Sequence, residues 1–326
     1  MEDSSLSANL RRSRRISGLT AALLAGWLLA NLPQPAGAAP GKSDHGPLPV
    51  AATILPLGDF CRQLGGDLVD VRVLIPPGAS PHAFEPAPSV MAKAFNARVF
   101  VYVGAGLEPW AQRFLAARGK KDLVVVEAAQ DIPLIREVEE HPGEETRKEE
   151  HQGHQHGAGN PHIWLDPLLA QNICRKITGA LVVADPAHRD RYESNLANYL
   201  KALNDLDLEI RSRVAGWRTR AFISFHPAFA YFARCYGLKE AGVLEPAPGR
   251  EPTPRHLQEI VKFVKELGLK VVFAEPQLNP RVAETVAREA GVKVLMLDPI
   301  GGRPPYGSDY LQLMRHNLAV MEEAMK

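Results

Sequence analysis

From Val50 to the end of the chain one pattern repeats, in which a short apolar run meets a turn and then a longer segment with helical spacing. The runs fall at 50–54, 69–75, 99–103 and 123–126, and again at 221–225, 242–244, 270–274 and 292–297. Helical segments are predicted at 57–64, 89–96 and 109–118 in the first half. In the second they fall at 228–236, 254–267, 280–290 and 308–325. Strands separated by helices pair in parallel and are covered on both faces, so the pattern predicts α/β architecture rather than hairpin-built sheets. Thr253-Pro254 and Asn279-Pro280 each place a capping side chain before a proline at a helix start.

The two alternating halves are separated by a helix at 168–183 and then by a stretch of another kind. Tyr192, Leu196, Tyr199, Leu203, Leu206 and Ile210 recur at helical spacing after Asp185-Pro186, a cap followed by a first-turn proline. One helix over 186–214 would be about 43 Å long and would run as a stiff spine between two lobes. The alternative is a pair of ordinary helices broken near Asn204. The expected fold is therefore two Rossmann-like α/β lobes with parallel sheets, 39–185 and 215–326, joined by a long rigid helix at 186–214. No repeat is close enough to mark an internal duplication.

Ahead of the first lobe, Arg11, Arg12, Arg14 and Arg15 precede an apolar stretch at 16–30 and then Ala36-Gly37-Ala38-Ala39. A basic region, an apolar region and an A-x-A site in that order predict an export signal at 1–38, cleaved after Ala38. An uncleaved anchor helix is the alternative, but the apolar core is shorter than the roughly 20 residues a span needs. The paired arginines hint only weakly at twin-arginine export. No cysteine stands at the cleavage site, which argues against a lipid anchor there. Without the leader, 34 basic residues face 35 acidic ones. That balance argues against nucleic acid as a partner, since phosphate binding needs a basic face. Cys61, Cys174 and Cys235 are an odd set with no CxxC pair. Buried structural thiols are expected, with one bridge and one spare as the alternative.

Four potential metal ligands sit where runs begin or end. His82 closes the proline-rich loop after 69–75, which fixes its direction before any ion arrives. His162 precedes Ile163-Trp164-Leu165, His226 follows 221–225, and Asp298 follows 292–297. Ligands collect at the carboxyl edge of parallel sheets. Three imidazoles and a carboxylate suit Zn²⁺ in tetrahedral geometry, whereas Mn²⁺ is helped by more oxygen. Separations of 80, 64 and 72 residues form no local signature, so the grouping rests on these positions alone. His45, His188, His256 and His316 are expected at the surface or in packing.

Residues 136–160 break the alternation with His141, His151, His154 and His156 among seven glutamates. So few apolar residues cannot form a core, and the tract is expected to be a disordered or mobile loop that gathers divalent cations loosely. A solvated low-complexity insert is the plainer alternative. Glu85, Glu245, Glu251 and Glu275 either orient ligands from behind or bond loops and helix ends, the second being favoured. Trp164, Phe229 and Tyr231 either wall the site or pack the core, with packing the expectation. Asp166 is expected to organise its own loop.

The stretch 77–82 ending in His82, with Glu85-Pro86-Ala87-Pro88-Ser89, then Pro161-His162-Ile163-Trp164-Leu165-Asp166-Pro167, then 226–232 with Tyr236-Gly237, resembles the zinc/manganese solute-binding proteins of bacterial ABC importers. The resemblance covers nearly all of the chain after the leader, in order. It implies a metal site between the lobes, with His82, His162, His226 and Asp298 on the family's ligand positions. Manganese members tend to carry glutamate at the third position, so His226 favours zinc, as does the acidic histidine-rich loop. The expected function is a periplasmic, non-enzymatic, monomeric carrier that hands Zn²⁺ to an ABC permease, with Mn²⁺ as the alternative cargo. A secreted zinc hydrolase is the alternative from another class, and no H-E-x-x-H or similar motif supports it. A histidine-rich metal buffer or adhesin without a transporter is the third.

Overall fold

The computed structural model describes residues 46–119, 121–136, 159–246 and 251–326. The expected leader and its cleavage point, His45, the four loop histidines and residues 247–250 lie outside the described residues.

The first half folds as β1 (Leu48–Ala52), α1 (Leu55–Gly65), β2 (Val69–Val73), α2 (Pro88–Ala94), β3 (Val99–Tyr102), α3 (Pro109–Arg118) and β4 (Val124–Glu127). The strands form one parallel sheet in the order β2-β1-β3-β4, with Val50 opposite both Val71 and Val99. Burial explains the two kinds of strand sequence. Central β3 is buried at every position, as its VFVY sequence requires, while edge β2 alternates half-buried valines with exposed Asp70 and Arg72.

α4 (Pro167–Ala184) is capped by Asp166, whose Oδ1 accepts the amides of Leu168 and Leu169 at 2.8 and 3.4 Å. Asp166 thus organises its loop as expected. α5 (Arg189–Ala215) then runs 27 residues without a break at Asn204, which makes it about 40 Å long. Asp185 does not cap it. A 3₁₀ turn over Pro186–His188 comes first, and the Asp185 carboxylate instead accepts Tyr192 Oη and binds His188 Nδ1, both at 2.7 Å. Those side chains present stronger donors than the amides of a single short turn.

The second half comprises β5 (Ala221–Ser224), α6 (Ala230–Tyr236), β6 (Lys239–Val243), α7 (Pro254–Glu266), β7 (Val271–Ala274), α8 (Arg281–Ala290), β8 (Lys293–Met296) and α9 (Tyr310–Met325). Its strands form two parallel pairs, β5-β6 and β7-β8, brought side by side by packing such as Phe222 against Phe273 rather than by one continuous ladder. Thr253 caps α7 as its sequence suggests, and Asn279 Oδ1 accepts the Arg281 amide at the start of α8.

Two apolar clusters result. The larger runs from the first sheet through α1, α4, α5 and α9 to Phe222, Phe229, Tyr231 and Phe273, so it joins both halves. The smaller, around Ile223, Val272 and Val286, lies under α7 and α8. α9 returns along α5 and is tied to it by Arg315 Nε to Glu209 at 2.8 Å and Arg213 Nε to Glu322 at 3.1 Å. Cys61 and Cys174 are buried in the larger cluster, Cys235 is half-buried, and all three are unpaired.

Candidate metal site

Each histidine is delivered by a short turn, His82 and His226 beyond the carboxyl ends of β2 and β5 and His162 at the start of a 3₁₀ turn. His82 lies in the second of two turns in the loop after β2, closed by Ala79 N to Pro76 O and Ala83 N to Ser80 O, both 3.2 Å. His162 follows Pro161 and opens a single 3₁₀ turn over Ile163–Leu165. His226 stands one residue beyond Phe225, with a 3₁₀ turn over Pro227–Phe229 before α6 begins at Ala230. A proline beside each histidine narrows the backbone freedom that would otherwise blur the ring position.

Although 80 and 64 residues apart in sequence, the rings converge. His82 Nε2 and His226 Nε2 each lie 3.1 Å from His162 Nε2, and the three ligand atoms fall within 4.8 Å of one another. Nitrogens bound to one tetrahedral Zn²⁺ at 2.0–2.1 Å are separated by roughly 3.3 Å. The two 3.1 Å separations are close to that demand.

The far side of each ring decides what its near side offers. Asn160 Oδ1 accepts from His162 Nδ1 at 2.9 Å and from the His162 amide at 3.0 Å, while its Nδ2 donates to Pro227 O at 2.5 Å. The Pro227 carbonyl fixes the amide's orientation, so His162 carries its proton on Nδ1 and leaves Nε2 a bare lone pair. Glu275 Oε1 binds His226 Nδ1 at 2.6 Å and the His226 amide at 3.2 Å, with the same consequence. Two buried lone pairs 3.1 Å apart repel unless a cation or proton is shared between them. This donor set can hold a divalent cation that accepts nitrogen ligands.

The electrostatics agree. Burial, reinforced by the nearby His226, holds His82 down to about 3, and burial followed by the charges of His226 and His82 holds His162 well below the usual imidazole range. Burial also opposes charge on His226, but the Glu275 carboxylate and its hydrogen bond outweigh it and raise the group. Two imidazoles are therefore kept neutral and ready to ligate, and the third is the one where protons compete.

Asp298 is 1 % exposed and lies beyond that group of three within the 4.8 Å limit. Its Oδ1 accepts from Gln277 Nε2 at 2.7 Å, Ile300 N at 3.0 Å and Gly301 N at 2.9 Å. Oδ2 accepts Tyr306 Oη at 2.7 Å.

Of the four glutamates, Glu275 departs from the favoured expectation, because it backs a histidine rather than a loop. Glu85 is exposed and pairs with Arg113 at 2.5 Å, away from the rings. Asn160 went unnoticed in the sequence, although its place two residues before a histidine and beside a proline is the available signal. Trp164 is fully buried beside His162, ring centroids 5.3 Å apart, and donates to Pro299 O at 2.7 Å. Tyr231 donates to Asn160 O at 2.7 Å and accepts Ile135 N at 3.0 Å. Both aromatics thus pack and also fix the histidine loop.

Residues 50–324 match the family described as the periplasmic component A of the zinc-uptake complex, ZnuA. The high-affinity zinc uptake system protein ZnuA of Bacillus subtilis is 33% identical over 293 residues, covering 89% of this chain and 90% of the relative. The zinc-binding lipoprotein AdcA of Streptococcus pneumoniae is 31% identical over 314 residues, covering 95% of this chain, which spans only 61% of AdcA. A crystal structure of a zinc-bound ZnuA deletion mutant aligns with TM-score 0.73 at 31% identity, covering 86% of this chain and 98% of that one.

Proposed function

The chain belongs to the family of periplasmic zinc-uptake complex component A proteins, and on that footing we propose that it is a solute-binding protein that captures Zn²⁺ and delivers it to an ABC permease. His82, His162 and His226 hold the ion through Nε2, and Asp298 approaches as the fourth ligand. The observation that carries this reading is the pair of 3.1 Å Nε2 separations with the Nδ1 atoms of His162 and His226 already engaged. Tetrahedral nitrogen-rich ligation favours Zn²⁺ over Mn²⁺.

The protein works in the periplasm as a monomer, after removal of residues 1–38, and performs no chemistry on its cargo. Its working parts are a first lobe over 39–185, the linking helix over 186–214 and a second lobe over 215–326. Stitches from the segment after Asp298 to the first half, Trp164 Nε1 to Pro299 O and Tyr310 Oη to Trp164 O, favour modest rather than wide lobe movement during release. The 136–160 tract raises the local supply of metal.

Competitive titration of the mature protein with Zn²⁺ and Mn²⁺, repeated after deleting residues 137–158, tests the proposal. One tight zinc site that outcompetes manganese and survives the deletion supports it. Loss of tight binding with the loop moves the function to a histidine-rich buffer, and a manganese preference makes that ion the cargo. Export is checked by the N-terminal mass of the secreted protein, which should begin at Ala39 and carry no lipid.

A further inference from the structure

The four donors on Asp298 are divided unevenly between its two oxygens. Oδ1 takes three, from Gln277 Nε2 and the amides of Ile300 and Gly301, whereas Oδ2 takes only Tyr306 Oη among the described residues. A carboxylate oxygen offers about two lone-pair positions, so Oδ1 has none to spare and Oδ2 has one besides that held by the phenol. Two of the Oδ1 donors are main-chain groups of a tight turn at Gly301, whose φ of +91° a side chain would strain. They cannot swing away without unmaking the turn. The same turn is locked from the other side, because a Cβ on Gly302 would fall 2.7 Å from Pro77 Cβ in the loop that carries His82.

Tyr306 differs from the other donors. Its contact with Asp298 is a single hydroxyl, while its ring is seated independently against His316, with centroids 4.7 Å apart. We propose that Tyr306 is a specificity-determining residue, which holds back the one oxygen of Asp298 still able to ligate and so biases the site toward Zn²⁺ and against Mn²⁺. The inference deepens the proposed zinc-carrier function and rests on it. Zn²⁺ is satisfied by three imidazoles and one further donor, whereas Mn²⁺ gains more from oxygen ligands and from added coordination. A carboxylate that cannot become bidentate, and that must share its free oxygen with a phenol, therefore handicaps Mn²⁺ more.

The test uses the mature protein as wild type, Tyr306→Phe, Asp298→Asn and the double variant, titrated with Zn²⁺ and Mn²⁺ against a chelator. Co²⁺ absorption serves as a probe of coordination number. Tyr306→Phe should tighten Mn²⁺ by roughly tenfold, the worth of one charge-assisted hydrogen bond, and Zn²⁺ by less. The Co²⁺ bands should weaken toward higher coordination, and Asp298→Asn in the same chain should cancel the gain. Asp298→Asn alone should weaken Zn²⁺ by less than the removal of an imidazole does. An unchanged zinc-to-manganese ratio and Co²⁺ spectrum in folded Tyr306→Phe, or equal weakening of both metals, overturns the inference and leaves Tyr306 a tether. If Tyr306→Phe does not fold, the single Asp298→Asn variant decides: a loss of Zn²⁺ affinity as large as that from removing an imidazole overturns it. Failure of the wild type to bind Zn²⁺ tightly would instead overturn the carrier function itself.

Discussion

Replacing Glu275 by glutamine keeps the shape behind His226 and an oxygen to accept from Nδ1, but removes the charge. Glu275 is 2 % exposed, its Oε1 lies 2.6 Å from His226 Nδ1, and its Oε2 has no hydrogen-bond partner among the described residues. Among the described residues the carboxylate's hydrogen bonds therefore all go to His226, to its ring and its amide. Carboxylate partners behind metal-bound imidazoles change affinity by about 10- to 100-fold, which corresponds to roughly 1.4–2.7 kcal/mol. Zn²⁺ affinity at pH 7.5 should fall within that range.

The sign of the pH effect supplies an independent check. In the native protein Glu275 raises the His226 pKa above 6.5 against the effect of burial, so protons begin to displace the metal above that pH. His82 and His162 are held low and stay neutral well below it. The affinity of the native protein should thus fall with a slope near one proton as pH drops through the His226 range. In Glu275→Gln burial acts unopposed and the His226 pKa drops, so the same fall sets in at lower pH. The two proteins should differ most near pH 7.5 and converge toward pH 5.5. Chelator competition at several pH values measures both curves. Affinities within twofold at pH 7.5, or a gap that widens in acid, would refute the role assigned to Glu275.

His226→Ala removes one of the donors to an ion whose structural sites are worth about 10–16 kcal/mol from four ligands, so a loss of several hundredfold in Zn²⁺ affinity is expected by competitive titration. Zn²⁺ at 100 times its dissociation constant should stabilise the folded protein by about 2.7 kcal/mol, read as a raised thermal midpoint that a chelator reverses. Trp164→Phe deletes the donor to Pro299 O and leaves a small void in a fully buried position, for an expected cost of about 2–4 kcal/mol in urea unfolding. Gly104→Ala would push a Cβ against the Glu127 side chain from a backbone with φ +82°, and should destabilise by about 1–3 kcal/mol in the same assay.

Period and punctuation made most of the fold legible in the chain. Buried strands such as Val99–Tyr102 are continuous apolar runs because both faces of a central parallel strand are covered, and prolines mark where their helices start. The long α5 is readable because its apolar positions recur on one helical face from Tyr192 to Val214. Where local rules yielded, tertiary partners were the reason, as when Asp185 bound Tyr192 and His188 instead of capping a helix.

The sequence by itself determined that His82, His226 and Asp298 come after apolar runs and that His162 stands between a proline and one, since a run, a proline and a histidine are all local features. It named His82, His162, His226 and Asp298 for that reason. Only the tertiary structure decided that three of them share one point, with Asn160 and Glu275 behind two of the rings and Asp298 drawn aside by Gln277, Tyr306 and the turn at Gly301. Separations of 80 and 64 residues carry no periodicity, and hydrogen bonds between distant loops are set by how lobes and helices pack, which no window of neighbouring residues encodes.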